Sequence, residues 1–326
     1  MTNAITGTAR FTVLYLLVLA SCTAYSAELK FDDASVEITV ADRPKEAETV
    51  KVSVGEPQTP AESLPRVLSI NLCADQMVLL LADPAQILAL STLSQDPPGS
   101  YFHDKALPYA QANPTAEDIV PHEPDVVIAG PYTSHYTTSL LEELGIKMES
   151  LVIANSIASM LENIERVGRI VHQEARAADL VAQLTERLAQ LSARVDELDN
   201  QQHEKRPTAA VYSTNGYTVG NDSMRGEAMR LAGWHNVAAD VGIESYGVLN
   251  LENLISLNPE ALIESPYSSG TYSRGQALTQ HPALRQSGLD PLLISLPSNQ
   301  TICAGPWSID IVERLFNERE SLRATR

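Results

Sequence analysis

Tyrosine is the aromatic residue this sequence favours, with eleven against four Phe and two Trp. A tyrosine ring buries area while its hydroxyl keeps a hydrogen bond, so a group of them suits a large, partly polar ligand. Seven fall where chain segments should follow strands: Tyr101, Tyr132, Tyr136, Tyr212, Tyr217, Tyr267 and Tyr272. Asn71, Asp75, His103, His135, Arg274 and Trp307 share those segments and complete the candidate ligand-binding set. Arg274 either neutralises an anionic ligand through charge-assisted hydrogen bonds or is an ordinary solvated arginine. His103, His135 and Tyr136 could donate to a metal, but zinc-type sites need several donors converging on one ion, and no His pair has i, i+4 spacing on a helix. No direct metal site is therefore expected. A haem iron held by one tyrosinate or His stays open. His122, His172, His203, His235 and His281 read as surface or capping residues. Gly-x-Ser-x-Gly, His-Glu-x-x-His, the P-loop and the dinucleotide glycine fingerprint are all missing, so no catalytic residue is assigned; the stronger ground for reading the chain as a binding protein, not an enzyme, is an export signal, a duplicated lobe and a bridging helix. An exported hydrolase, with a Ser/His/Asp set assembled only in space, is the alternative from a different class.

The elements that must position these residues begin after an address. Residues 1–27 read as a signal peptide: Arg10 precedes a mainly apolar run of ten residues from Phe11 to Ala20, too short to span a bilayer. Leu19-Ala20-Ser21-Cys22 resembles a lipobox, which makes Cys22 a candidate for lipidation, while Ala24-Tyr25-Ser26 offers ordinary signal-peptidase cleavage; both routes stay open. Either places the mature chain in the periplasm, free or lipid-anchored. There Cys73 and Cys303 either pair as a disulfide or stay two small buried hydrophobes. The formal charge of −18, from 23 Lys plus Arg against 41 Asp plus Glu, repels phosphate backbones, so nucleic acid is not an expected partner.

Residues 28–65 are acidic, carry Pro44, Pro57, Pro60 and Pro65, and read as a tether. From Arg66 strands and helices alternate, which predicts an α/β fold with mainly parallel sheets flanked by helices. An N-terminal lobe is expected over 66–173 and a C-terminal lobe over 205–326. Between them, 174–204 reads as one amphipathic helix, with Leu180, Leu184, Leu188, Leu191, Val195 and Leu198 at spacings of three and four and a length of roughly 40 Å. A repeat supports the two lobes. Ala116-Glu117-Asp118-Ile119 leads to Pro124-Asp125-Val126-Val127-Ile128, and Leu251-Glu252-Asn253-Leu254 leads to Pro259-Glu260-Ala261-Leu262-Ile263, at an offset of 135 residues. Two such lobes joined by one helix leave a ligand cleft at the carboxyl ends of their strands.

With Arg66-Val-Leu-Ser-Ile70 at the first strand, the two Glu-to-Pro segments and the spanning helix, the chain resembles the periplasmic iron-siderophore and cobalamin-binding family, the solute receptors of ABC importers with a helical backbone. The resemblance covers about Arg66 to Asn317. It implies that one Glu per lobe, Glu117 and Glu252, docks onto arginines of the permease. It also implies that the ligand is an iron chelate or a corrinoid carried as cargo, that there is no intrinsic cofactor, and that the receptor works as a monomer which meets the membrane only through the permease or a lipid. The cobalamin branch lines its cleft with several tryptophans, whereas only Trp307 is well placed here. A ferric siderophore is the expected cargo, with cobalamin or haem as alternatives on the same fold.

Overall fold

The computed structural model describes residues 64–202, 205–267, 282, 288 and 290–324, and gives three strands between residues 26 and 53. Cys22, Tyr272, Arg274, His203 and His281 lie outside the described residues. The chain divides into two units, residues 1–63 and 64–326. In the first unit β1 (Ser26–Asp32), β2 (Ser35–Ala41) and β3 (Ala47–Ser53) pair antiparallel in that order. The stretch read as a tether thus contains paired strands, and β1 opens inside the stretch read as signal peptide. Val36, Ile38 and Val40 alternate with Glu37 and Thr39 over too short a span to stand out among the flanking prolines.

The second unit is the two-lobed α/β fold. Its N-terminal lobe runs β4 (Val67–Ser69), α1 (Leu72–Leu81), β5 (Ile87–Ser91), α2 (His103–Ala106), β6 (Ala110–Ala112), α3 (Ala116–Ile119), β7 (Val126–Ala129), α4 (His135–Glu143), β8 (Lys147–Ser150) and α5 (Ile157–Ile170). Its five strands pair in the order β6-β5-β4-β7-β8, all parallel. Strand β7, Val-Val-Ile-Ala, is buried along its whole length, as a strand covered by helices on both faces must be. The chain crosses over on one side of β4 and then the other, so the sheet reverses its winding between β4 and β7.

Helix α6 (Glu174–Gln202) carries the chain to the other lobe. Ala177, Leu184, Leu191 and Val195 are buried along one stripe, with Leu180, Leu188 and Leu198 partly buried beside it. Arg176 holds Asp83 of the N-terminal lobe at 2.8 Å near the start of the helix, and near its end Asp199 takes Arg206 at 2.9 Å and the fully buried Arg319. A helix gripped at both ends by different lobes sets their spacing.

The C-terminal lobe comprises β9 (Thr208–Val211), β10 (Tyr217–Val219), α7 (Met224–Leu231), β11 (His235–Asn236), β12 (Tyr246–Val248), α8 (Leu251–Leu257), β13 (Ala261–Glu264), β14 (Leu292–Ser295), α9 (Ser298–Thr301) and α10 (Trp307–Ala324). Four strands form a parallel sheet in the order β11-β9-β13-β14, while β10 and β12 make a separate antiparallel pair. The repeat extends to backbone geometry. Glu123 and Asn258 both take left-handed conformations, φ 48° and 46°, directly before Pro124 and Pro259 and the strands β7 and β13.

Candidate functional site

A cavity of about 540 Å³ lies between the lobes, where the loops after β4 and β7 face those after β9 and β13. These are the points at which each sheet reverses its winding, the places where open α/β sheets bind ligands. On the N-terminal side Asn71 ends the loop after β4 and caps α1, accepting from the backbone N–H groups of Cys73 and Ala74 at 3.1 and 3.2 Å. Gly130, just after β7, lets the second loop close on it: a Cβ there would stand 2.3 Å from Asn71 Nδ2. Tyr132 follows at the mouth, 88% exposed. Val152, Ile153 and Asn155, in the segment from β8 to α5, continue this wall.

On the C-terminal side Ser223 caps α7 by accepting from Gly226 N–H at 3.0 Å, which puts Met224 and Arg225 on the cavity wall. The β10–β12 pair delivers Tyr217 and Tyr246, whose rings stack at 6.4 Å with an angle of 20°. The Arg225 guanidinium sits 5.6 Å from the centre of the Tyr217 ring, and its Nη2 donates to the Tyr217 hydroxyl at 3.4 Å. Burial pushes the Arg225 guanidinium below its ordinary pKa and the Tyr246 phenol above its own, because each charged form loses water. The Tyr246 hydroxyl crosses the cleft to donate to Asn155 Oδ1 at 2.9 Å.

Cys73 and Cys303 are joined as a disulfide, Cα atoms 5.2 Å apart, in the cavity wall, so a covalent bond ties α1 to the segment before α10. Around it runs a seam between the lobes. Tyr101 stacks on Trp307 at 4.5 Å, Ser298 Oγ donates to Pro98 O at 2.6 Å, and the Tyr267 hydroxyl donates to Asp96.

Of the candidate ligand-binding residues, the cavity brings together Asn71, Tyr132, Tyr217 and Tyr267. Others go elsewhere. Asp75 is fully buried in the N-terminal lobe, where it accepts from Ser91 N–H at 3.1 Å and from the Ser91 hydroxyl. Burial raises its pKa to about 7, against the opposing hydrogen bonds from Ser69 and Ser91. Tyr101 and Trp307, the latter 1% exposed, belong to the seam, and the Trp307 indole donates to Cys303 O at 2.8 Å. His103 contacts Ser100 O through Nδ1 at 3.1 Å and Asp104 through Nε2 at 3.5 Å, away from the cavity. Tyr212 is buried among Ala210, Val237, Leu249 and Leu254. His135 and Tyr136 are exposed on the first turn of α4, outside the cavity lining.

Sequence reasoning missed Arg225 and Tyr246. Arg225 lies at the start of α7 and Tyr246 on the short strand β12, and the only local signal was Ser223 at capping distance from Gly226, which marks the helix start beside Arg225. Glu117 and Glu252 are exposed in the first turns of α3 and α8. Among the described residues no group of three or more His, Cys, Asp or Glu is placed to hold a metal ion, and no helix is long and apolar enough to cross a membrane. The cavity's chemistry is phenolic, amide, thioether and guanidinium, suited to an organic ligand.

A family model described as periplasmic binding protein matches residues 67–287. A cobalamin-binding protein of Halobacterium salinarum is 28% identical over 199 residues, 61% of this chain and 53% of the relative. The chain thus spans about half the length of the curated relatives it matches. Among solved structures, a periplasmic haem-binding protein from Roseiflexus sp. RS-1 in its apo form aligns with a TM-score of 0.63 at 18% identity, over 80% of this chain and 99% of that one. The periplasmic vitamin B12 binding protein of Vibrio cholerae aligns with a TM-score of 0.58 at 18% identity, over 80% and 98%. At these identities the likeness is one of fold.

Proposed function

Because the chain belongs to the periplasmic binding protein family, we propose that it is the solute-binding subunit of an ABC importer, capturing a metal chelate in its cleft outside the cytoplasm and delivering it to the permease. The observation that carries this reading is the cavity of about 540 Å³ at the facing switch points of the two lobes, lined by tyrosines, amides and aliphatic side chains. That volume falls in the range of sites that enclose most of a drug-sized ligand. A ferric siderophore is the first choice of cargo. Trp234 and Trp307 are both buried away from the cavity, so no tryptophan among the described residues offers the flat surface by which the cobalamin branch is distinguished. A corrinoid is the second reading, favoured by the curated relative named for cobalamin.

Delivery follows from Glu117 and Glu252. Each is an exposed carboxylate in the first turn of the helix that leads into an equivalent strand, β7 or β13. Matched carboxylates on twin lobes can each take a bidentate arginine from one half of a two-fold permease. The monomeric receptor would meet the membrane through that permease, or through a lipid on Cys22.

The test is the visible spectrum and intact mass of the receptor purified from its native envelope, followed by titration with a ferric tricatecholate, a ferric trihydroxamate, haemin and cyanocobalamin. A chromophore that co-purifies, or micromolar or tighter binding of one chelate, is expected. No chromophore and no binding would refute the receptor reading and return attention to an exported hydrolase.

A further inference from the structure

We propose that Arg225 is the anion-recognition residue of the cleft, so that the cargo is a chelate of net negative charge which presents an anionic oxygen to the wall formed by Arg225, Tyr217 and Tyr246. This rests on the receptor reading and narrows it. Among the described residues that line the cavity, Arg225 is the single charged side chain: no Asp, Glu, Lys or His accompanies it. That is a departure from the chain as a whole, where acidic residues outnumber basic ones by 41 to 23.

Most other described arginines are held by carboxylates. Arg187 takes Asp310 and Glu313, Arg319 takes Asp199, and Arg230, one and a half turns along the same helix, takes Glu227. Arg225 has no ion-pair partner among the described residues and meets the ring and hydroxyl of Tyr217 instead. A guanidinium that gives up water without a counter-charge is destabilising, which is the physical cause of its lowered pKa. An anionic ligand supplies the missing partner. A neutral one would strip the remaining water from the guanidinium and return nothing of equal strength.

The geometry suits the task. Ring contact and one hydrogen bond to the Tyr217 hydroxyl hold the planar fork in place, and one such bond leaves most of its five N–H donors for a ligand oxygen. The N-cap at Ser223 fixes the first turn of α7, and Gly226 fixes how closely it packs, since a Cβ there would lie 1.9 Å from Gly220 O. Arg225 is thus preorganised on a rigid helix start rather than carried on a loop.

The experiment pairs probes of similar shape and different charge: haemin with its dimethyl ester, and a ferric tricatecholate with a ferric trihydroxamate. Each is titrated by calorimetry into the wild-type receptor, Arg225→Gln and Arg225→Lys. The wild type should prefer the anionic member of a pair by at least tenfold. Arg225→Gln should erase that preference by weakening the anionic member at least tenfold without weakening the neutral one, and Arg225→Lys should keep part of it, because a point charge replaces the fork. Equal affinity for both members in the wild type, or an equal loss for both in Arg225→Gln, would overturn the proposal while leaving the receptor reading intact. Absence of binding by all four probes would overturn this inference, and the receptor reading would fall with it only if cyanocobalamin also failed to bind. Should Arg225→Gln fail to fold, the salt dependence of the wild type decides: affinity for the anionic probe must fall between 0.05 and about 0.5 M salt more steeply than for the neutral one, and parallel slopes would overturn the proposal.

Discussion

Helices α1 and α7 hold the same place in their two lobes. Each leads toward the strand that flanks the lobe's first parallel strand, β5 beside β4 and β11 beside β9. Each is capped by a side chain, Asn71 or Ser223, and each presents its second residue to the cavity, Cys73 or Arg225. Each has an acid as its fourth residue, Asp75 or Glu227. One frame has received opposite chemistry: the first helix gives the cleft a covalent tie, the second a cation with no ion-pair partner among the described residues. The acids diverge as well. Asp75 turns into its own lobe toward Ser91, whereas Glu227 accepts from Ile157 N–H of α5 at 2.6 Å. What repeats between the lobes is the scaffold and the outer glutamates; what differs is the wall a ligand would touch.

The sharpest way to break this contrast is to cut the tie on the α1 side. The disulfide closes a loop of 230 residues, and the loop-entropy model gives such a link about 5 kcal/mol. Reduction, or Cys73→Ser with Cys303→Ser, should lower Tm by about 10 °C or more in a calorimetric scan. An unchanged Tm would mean that α6 and the seam alone hold the lobes and that Cys73 has no more structural role than its counterpart Arg225. Next in size is the test of the shared part. Glu117→Ala with Glu252→Ala should reduce uptake in reconstituted vesicles more than tenfold while ligand affinity stays within twofold. Lost affinity would place these residues in ligand binding and dissolve the division between outer scaffold and inner wall.

The residues that obeyed local rules were legible in the sequence. The stripe from Leu180 to Leu198 and the apolar strands β7 and β13 stand where periodicity puts them, and the Glu-to-Pro repeat reappears down to the left-handed residues Glu123 and Asn258. The cleft was read less well because adjacency to a strand end does not fix direction. At 3.6 residues per turn Cys73 and Asp75 point about 200° apart, so a helix that shows Cys73 to the cleft must bury Asp75. Trp307 failed similarly, since the first residue of α10 lies beneath Tyr101 in the seam. Tyr246 was invisible for another reason. It sits on a strand of three residues, Tyr246–Val248, whose partner lies far back at Tyr217–Val219, and no periodicity survives at that length.

Asp75 sharpens the comparison through pH. Its carboxyl has a pKa of about 7 in the fold against 3.8 as the ordinary value, so the native state holds a proton that the unfolded chain gives up. The associated stability is present in full below about pH 4 and is lost as pH rises toward 7. Asp75→Asn keeps the neutral form at every pH. It should raise Tm by about 5 °C at pH 8 and leave it nearly unchanged at pH 4. A Tm difference between Asp75→Asn and wild type that stays the same from pH 4 to pH 8 would overturn this reading of the buried acid.

The smallest effect belongs to the contact between Tyr246 and Asn155. The Tyr246 hydroxyl and Asn155 Oδ1 form one neutral hydrogen bond between the lobes, worth about 1 kcal/mol when its partners are partly exposed to water. Tyr246→Phe keeps the ring that stacks on Tyr217 and removes only that bond. With the disulfide intact, the lobes are already held, so Tm should fall by no more than about 3 °C and scattering should show an unchanged radius of gyration. In the Cys73→Ser, Cys303→Ser background the same change should cost more, because the bond then becomes one of the few ties left across the mouth. A double-mutant cycle reads this directly. Strict additivity would show that the tie from α1 and the contact between Tyr246 and Asn155 act independently, and that the covalent link does not govern the rest of the cleft.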